Sequence, residues 1–489
     1  MNPLSYENEK IPQSIERFLL DLKDILGEDA ELLVNRIEIS GIKCALVTFE
    51  GMVSTSIITQ LILRPIEEIS IKRATPFALW EHIKTKLILS TDRSEVFTYG
   101  DFMRRLMSGF AMLYIDGVDG AMGFGVQGYD KRGIDEPSGE SDIRGARDGF
   151  TETINTNISL IRRRVKSPTL RIEKFVIGTK SKTDVAFVYM TDKVSRSMLR
   201  EIRRKLQGIE LETVLTSGYI KPFLEGRSFG FFDSVGTTER PDVLCGKILE
   251  GRVAMLIDGT PFALIVPYLF TENFQTIDDY SSRPFYAFFL RIIKFFGFII
   301  SVLLPGVYVA VATFHPEFFN EKLLLILAQE EASAPLSLGA EAFIMLILYE
   351  LIKEAALRLP KVIGGAVSIV GGLIIGDASV SSGLVSTPLL IAVALSVTAS
   401  FVIPSLNEST TLLRFLFLLA GSFSGLFGIA LAGALVLLNI TAEANLGVPY
   451  FAPISPFIPR SMGDIAIRLP FKKLQSRNFN INSYKGENR

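Results

Sequence analysis

Three carboxylates, Glu341, Glu350 and Glu354, stand in the otherwise apolar stretch Leu338 to Leu359, accompanied by Lys353 and Arg358. Glu350 and Glu354 are four residues apart and would share one face of a helix. Carboxylates at membrane depth are costly unless they meet water, so this helix either lies at an interface or lines an aqueous path, where its acids would attract cations. A second pattern follows it. Gly364, Ser368, Gly372 and Gly376 recur every four residues, with Gly365 and Gly371 beside them. Such a face lets helix backbones approach closely, and the Val362 to Gly376 helix is the predicted constriction of a pore, with Val367, Ser368, Gly371 and Gly372 as pore or gate residues. Packing within one subunit is the competing use of this face, and of the similar face Gly421, Gly425, Gly428 and Ala432.

Other chemistry is sparsely represented. Asp116-Gly117 and Asp258-Gly259 are the candidate site for an enzyme acting on a nucleotide or lipid headgroup, but Asp-Gly after a strand usually makes only a turn. His82 and His315 are the only histidines, and Cys44 and Cys245 the only cysteines, none at metal-ligand spacing. No phosphate-binding loop or nucleophile elbow occurs. No catalytic residue, metal or cofactor is expected, and the chain is not read as an enzyme. With 51 basic against 52 acidic residues, bulk charge gives no reason to expect nucleic acid as a partner.

The elements that must position these residues divide the 489-residue chain in two. Phe295 to Phe314 is free of charge over a length that spans roughly the 30 Å of a hydrocarbon core. Pro305-Gly306 in its middle would free a backbone carbonyl and kink it. Arg291 and Lys294 just before it suit the cytoplasmic side, as does the absence of a signal peptide among the first twenty residues. Val362 to Gly376, Ala378 to Leu406 and Phe415 to Ala442 read as further single spans. If the Leu338 to Leu359 helix also crosses, the tail falls outside; yet residues 450–489 carry seven basic and two acidic residues, which favours the inside. Four spans plus one charged, membrane-associated helix satisfy this, with six crossings that use Lys322 to Gln329 as the alternative.

The soluble half repeats. Ala45-Leu-Val-Thr-Phe and Val53-Ser54 match Ala186-Phe-Val-Tyr-Met and Val194-Ser195, and Ala111-Met-Leu-Tyr-Ile-Asp-Gly117 matches Ala254-Met-Leu-Ile-Asp-Gly259, at offsets of 141 and 143. The expected fold class is therefore an α/β soluble region of two similar tandem subdomains, then an α-helical multi-span membrane domain and a short basic tail. The boundaries are 1–127 for the first subdomain, 128–166 for a linker and connecting helix, 167–284 for the second subdomain, 285–445 for the membrane domain and 446–489 for the cytoplasmic tail. Ile57 to Ile66 reads as a helix closed by Pro65, and Thr238 or Asp242 as a cap for a helix begun by Pro241. Arg162, Arg163, Arg164 and Lys166 end the connecting helix, either complementing its dipole or meeting an acidic partner or anionic lipid.

Glu136 to Phe150 (EPSGESDIRGARDGF), Asn157 to Arg164, Thr238 to Asp242 (TERPD), Leu249 to Ala254 (LEGRVA), Asp258 to Phe262 (DGTPF), Arg358 to Gly371 (RLPKVIGGAVSIVG) and Gly447 to Pro453 (GVPYFAP) together resemble the A subunit of GerA-type spore germinant receptors. The resemblance covers nearly the whole chain. It implies a multi-pass protein of the spore inner membrane working with a transporter-like B subunit and a lipoprotein C subunit, and an oligomeric, nutrient-gated ion channel formed by this chain. Ala146 stands where that family often has Pro, and Phe231-Phe-Asp-Ser234 where it tends to Phe-Pro. A secondary transporter and a membrane-anchored signalling or scaffold protein are the competing functions; no inverted repeat supports the former.

Overall fold

A computed structural model describes residues 6–484 apart from 72–73, 86–91, 129–136, 138–139, 141–144, 227–229, 334, 361–371, 373–375, 377, 460, 466, 471 and 473–479. In its soluble half, α1 (Ile15–Leu26), β1 (Leu32–Ile39), β2 (Ile42–Phe49), α2 (55–67), α3 (Pro76–Thr85), β3 (Arg93–Val96), α4 (Tyr99–Leu106), β4 (Phe110–Ile115) and β5 (Ala121–Gly125) form the first unit. The second contains α5 (Ile154–Arg164), β6 (Leu170–Ile177), β7 (Thr183–Met190), α6 (Arg196–Gln207), β8 (Gly236–Thr238), α7 (Pro241–Leu249), β9 (Val253–Ile257) and β10 (Ala263–Val266). The sheet orders, β1-β2-β4-β5-β3 and β6-β7-β9-β10-β8, are the same, and every pairing is antiparallel. The Ala111 and Ala254 strings occupy the equivalent strands β4 and β9, as the repeat predicts.

Alternation along β2 explains the layering. Ala45, Val47 and Phe49 face α1 and α4, while Cys44 and Leu46 face α2 and α3, so both faces of the sheet are covered. In the second unit, α5 and α7 cover one face and α6 the other. That second face is completed by Val214, Ile220 and Leu224 and by Leu446, Val448, Ala452, Ile481 and Tyr484, the last five from the segment expected as a basic tail.

Three local readings are refined. The helix over 55–67 runs through Pro65 instead of ending there, because residues 59–63 form a π turn, whose wider backbone spacing accommodates the ring and the missing N–H. Pro241 does open α7; Thr238 lies in β8 and accepts the Arg240 N–H just before the helix, and Asp242 accepts the Val243 N–H in its first turn while pairing with Arg240. Part of the expected linker is docked: Thr238 donates to Glu140 at 2.6 Å, and Arg240 donates to the Ala146 carbonyl at 3.2 Å.

Beyond the sheets, α8 (Pro284–Phe314), α9 (Glu321–Ser333), α10 (Leu338–Arg358), α11 (Thr387–Ser400) and α12 (Asn407–Ala442) make the helical part. α8 and the helical stretch 404–442 are long and apolar enough to cross a membrane. The latter is not one straight rod. Gly425 has φ 60° and ψ −146°, and a Cβ on Gly428 would strike the carbonyl of Ala420. Residues eight apart on a straight helix lie about 12 Å apart, so the chain reverses at Gly425 into two arms, 407–424 and 426–442. This corrects the reading of Phe415 to Ala442 as a single span: an apolar run gives no sign of one glycine in a conformation other residues avoid.

Helix directions follow from the contacts. The first arm of α12 runs parallel to α8, with Ser301 beside Arg414, Gly306 against Phe417 and Gly421, and Phe314 against Gly425. α10 runs antiparallel to that arm, with Gly339 at Ser422, Phe343 at Phe415 and Glu350 at Thr411. α11 runs antiparallel to α8, with Ser396 at Ser301 and Ala399 at Gly297. Replacing Gly425 by Ala puts a side chain where only glycine is comfortable; we expect a loss of about 1–3 kcal/mol. A lower thermal midpoint of the detergent-solubilised protein would register it, and an unchanged midpoint would argue against the reversal.

Candidate functional site

The carbonyl of Ser301 organises the interior of the helical part. Pro305 has no N–H to offer the residue four positions earlier, so in this apolar setting the Ser301 oxygen needs other donors. It receives two: Nε of Arg414 at 2.8 Å and the hydroxyl of Ser396 at 2.8 Å. Arg414 also donates from Nη2 to the Ser396 carbonyl at 3.4 Å, and its Nη1 lies 3.9 Å from Oε1 of Glu350. The guanidinium is 1% exposed. One cation thus joins α8, α10, α11 and α12.

The three carboxylates singled out in the sequence meet different surroundings in the fold. Glu350 faces Arg414, accepts from the Thr411 hydroxyl at 3.2 Å and pairs with Lys353 at 2.5 Å, so its charge is compensated within the chain. Glu354 is exposed and paired with Arg358 one turn on. Glu341 is buried at the opposite end of α10 and accepts the Ser386 N–H at 3.3 Å, at the start of α11. Glu350 and Glu354 stand one turn apart on α10, as their spacing predicts, and each is paired with a cation of the same helix. Of the expected gate residues, Val367, Ser368 and Gly371 lie outside the described residues, and among the described residues nothing lies within 4 Å of where a Cβ on Gly372 would stand.

Arg414 is the residue that sequence reading missed. It stands immediately before the charge-free run, where it looks like a boundary marker. The available signal was Pro305, whose freed carbonyl calls for a donor.

A second cationic node lies at the root of α8. Arg291 is fully buried and pairs with Asp279 at 2.7 Å and Asp464 at 3.1 Å, while also donating to the carbonyls of Asp464 and Ile465. Lys294 donates to Thr276 and lies 3.6 Å from Asp279. Arg291 is thus more than a charge flanking the apolar run: it joins the helix root to the tail. Arg468 adds bonds to the carbonyls of Tyr280 and Ser282.

The remaining sequence candidates have structural roles. Asp116 accepts the Ile15 N–H at 2.8 Å and Asp258 the Ile154 N–H at 3.1 Å, so each Asp-Gly caps the first helix of its own subdomain. Arg162 crosses to the first subdomain, reaching buried Asp29 at 2.7 Å and stacking over Phe49. The acidic partner for this cation lies in the same chain. Burial pushes the thiols of Cys44 and Cys245 up to about 12, which leaves them unreactive near neutral pH. Among the described residues no group of His, Cys, Asp and Glu could hold a metal.

Two measurements test these nodes. Replacing Arg414 by Met removes one of the cations facing Glu350, which keeps Lys353, and leaves the Ser301 and Ser396 carbonyls short of a donor; we expect a loss of about 1–3 kcal/mol. The double variant Arg414→Met, Glu350→Met should recover part of that loss in a double-mutant cycle, and strictly additive effects would rule out coupling. The pH dependence concerns Glu272, which packs against Arg252 and Lys247. Burial raises its pKa, but the charges of Arg252 and Lys247 outweigh this and hold the carboxyl below its usual 4.5. The stabilisation is therefore present above pH 4.5 and lost as pH falls through the lower folded value. Acid unfolding of Glu272→Gln should show less pH dependence in that window than the parent.

The sequence matches the model of the Bacillus/Clostridium GerA spore germination protein over residues 21–479. Spore germination protein KA of Bacillus subtilis is 36% identical over 467 residues, covering 94% of this chain and 85% of that protein. Spore germination protein GerLA of Bacillus cereus is 32% identical, covering 94% and 93%. YfkQ of Bacillus subtilis, described as an uncharacterized membrane protein, is 37% identical, covering 76% and 73%. The crystal structure of the N-terminal domain of the A subunit of the Bacillus megaterium spore germinant receptor GerK3 is similar with a TM-score of 0.42 at 28% identity, covering 54% of this chain and 98% of that one.

Proposed function

Since the chain belongs to the GerA family of spore germination proteins, we propose that it is the A subunit of a nutrient-responsive germination receptor in the spore inner membrane. It acts there with a transporter-like B subunit and a lipoprotein C subunit. Copies of it assemble into the oligomeric ion channel whose opening triggers germination. The observation that carries the channel reading is the buried Arg414, which faces the half-buried Glu350 and joins four helices. An ionisable pair kept at that depth fixes the seat of α10, and α10 leads directly into the stretch read as the gate, Val362 to Gly376.

The topology consistent with this reading has six crossings: α8, α10, Val362 to Gly376, α11 and the two arms of α12. An even number keeps the sheets and the tail on one side, the cytoplasm. This preserves the basic tail's expected location and replaces the four-span arrangement. We assign 1–127, 128–166, 167–284, 285–445 and 446–489 as the working divisions, with 446–489 packed on the second subdomain.

In the resting receptor, Val367 narrows an apolar path that excludes water, and Ser368, Gly371 and Gly372 allow neighbouring copies to approach. Glu354, the most exposed of the three acids, then attracts cations at the cytoplasmic mouth, while Glu350 acts through Arg414 to hold α10. Purified protein in planar bilayers should conduct cations, and no current from intact, assembled protein would refute the channel reading in favour of a transporter or scaffold.

Variants refine the test. Val367→Ala should leak and germinate spores without nutrient, whereas Gly371→Leu should block ion release. Normal abundance with these opposite effects supports the gate. Equal loss of abundance and release in both variants means that the face only packs within a subunit.

A further inference from the structure

At the end of the helical part away from the sheets, α8, α9, α10 and the start of α11 enclose a cavity of about 160 Å³. Its walls include Ala312, Phe319, Leu324 and Leu327, and its polar groups are Glu341 and Ser386. The volume exceeds what one or two waters need and falls short of a drug-sized site, which suits a ligand of a few heavy atoms.

Both polar groups are buried. Glu341 is 1% exposed and Ser386 6% exposed. The backbone N–H of Ser386 is held by Glu341, but its hydroxyl oxygen has no hydrogen-bond partner among the described residues. A buried hydroxyl left in this state costs free energy that a ligand donor would recover. The Glu341 carboxylate, although held by polar partners that include the Ser386 N–H, still attracts a positive charge into the apolar space beside it.

We propose that this cavity binds a small primary ammonium compound with a short alkyl body and no carboxylate. The ammonium N–H groups point at the Glu341 carboxylate and the Ser386 hydroxyl, and the alkyl body lies against Phe319, Leu324 and Leu327. A bare metal cation is a poorer fit, since two side chains provide too few oxygens to replace its water shell. An amino-acid zwitterion is poorer too, because among the described residues no cationic side chain lines the cavity to meet its carboxylate. This goes beyond the proposed channel role, and the site's position away from the sheets makes it reachable from the side opposite the cytoplasmic one.

Equilibrium binding of radiolabelled butylammonium to the purified full-length chain in detergent tests the idea without any ion flow, so it succeeds or fails independently of the gate. Saturable binding is expected, weakened about tenfold or more in Glu341→Gln. Glutamine keeps an acceptor for the Ser386 N–H, so the fold should survive. Leu327→Trp fills the cavity without touching Glu341 and should abolish binding while the protein elutes as the parent does. If Glu341→Gln does not fold, Leu327→Trp alone decides: retained binding overturns the site. Equal binding by Glu341→Gln, competition by butanol as strong as that by unlabelled butylammonium, or displacement by potassium at equal concentration would each overturn the proposal.

Discussion

A proline in the first apolar helix leaves one carbonyl without its helical donor, and the packing of the other helices answers that deficit. Ser301 lies four residues before Pro305, and its oxygen takes hydrogen bonds from Arg414 and Ser396. Bringing a guanidinium to that depth requires a counter-charge, which Glu350 provides from α10. One missing N–H thus fixes where α10, α11 and α12 must sit along α8. Close backbone approach at Gly306 and Gly421 makes this geometry possible, since a Cβ on either would come within 2.5 Å of backbone oxygen.

A second buried guanidinium governs the connection to the sheets. Arg291 requires Asp279 and Asp464, which lie 185 residues apart in the chain yet meet at the root of α8. The tail can reach that point only if the chain returns to the end from which α8 departs. The reversal at Gly425 makes the return possible. Once back, the tail completes the second sheet's core with Ile481 and Tyr484, so the helices and the α/β unit are joined by α8 and by the tail together. A displacement in the second subdomain would therefore act on α8 from both sides of its root.

The tandem subdomains use the same devices twice. Asp116 and Asp258 close equivalent turns onto equivalent helices, and Ser54 and Ser195 cap α2 and α6 alike. The copies diverge where partners are needed. α3 covers the outer face of the first sheet, while on the second sheet Ile220 and Leu224 share that face with residues of the tail. Arg162 and Lys174 of the second copy meet Asp29 and Glu31 of the first, which locks the two together through buried or half-buried charge.

The amino-acid sequence by itself determined the duplication, the strands and their Asp-Gly turns, the position of the first apolar helix and the family, because each leaves a local mark: period, turn chemistry, length or a long string. It also located Pro305 and the carbonyl it frees. Only the tertiary structure decided what that carbonyl binds, that Glu350 and Glu354 have different surroundings, that Arg291 belongs to the tail as much as to the helix, and that α12 turns back on itself. The physical reason is common to all four. Periodicity reports that a side chain is buried, whereas its partner depends on which helices become neighbours. Gly425 has the same letter in a straight helix as in a reversal, and only its neighbours in space set its φ.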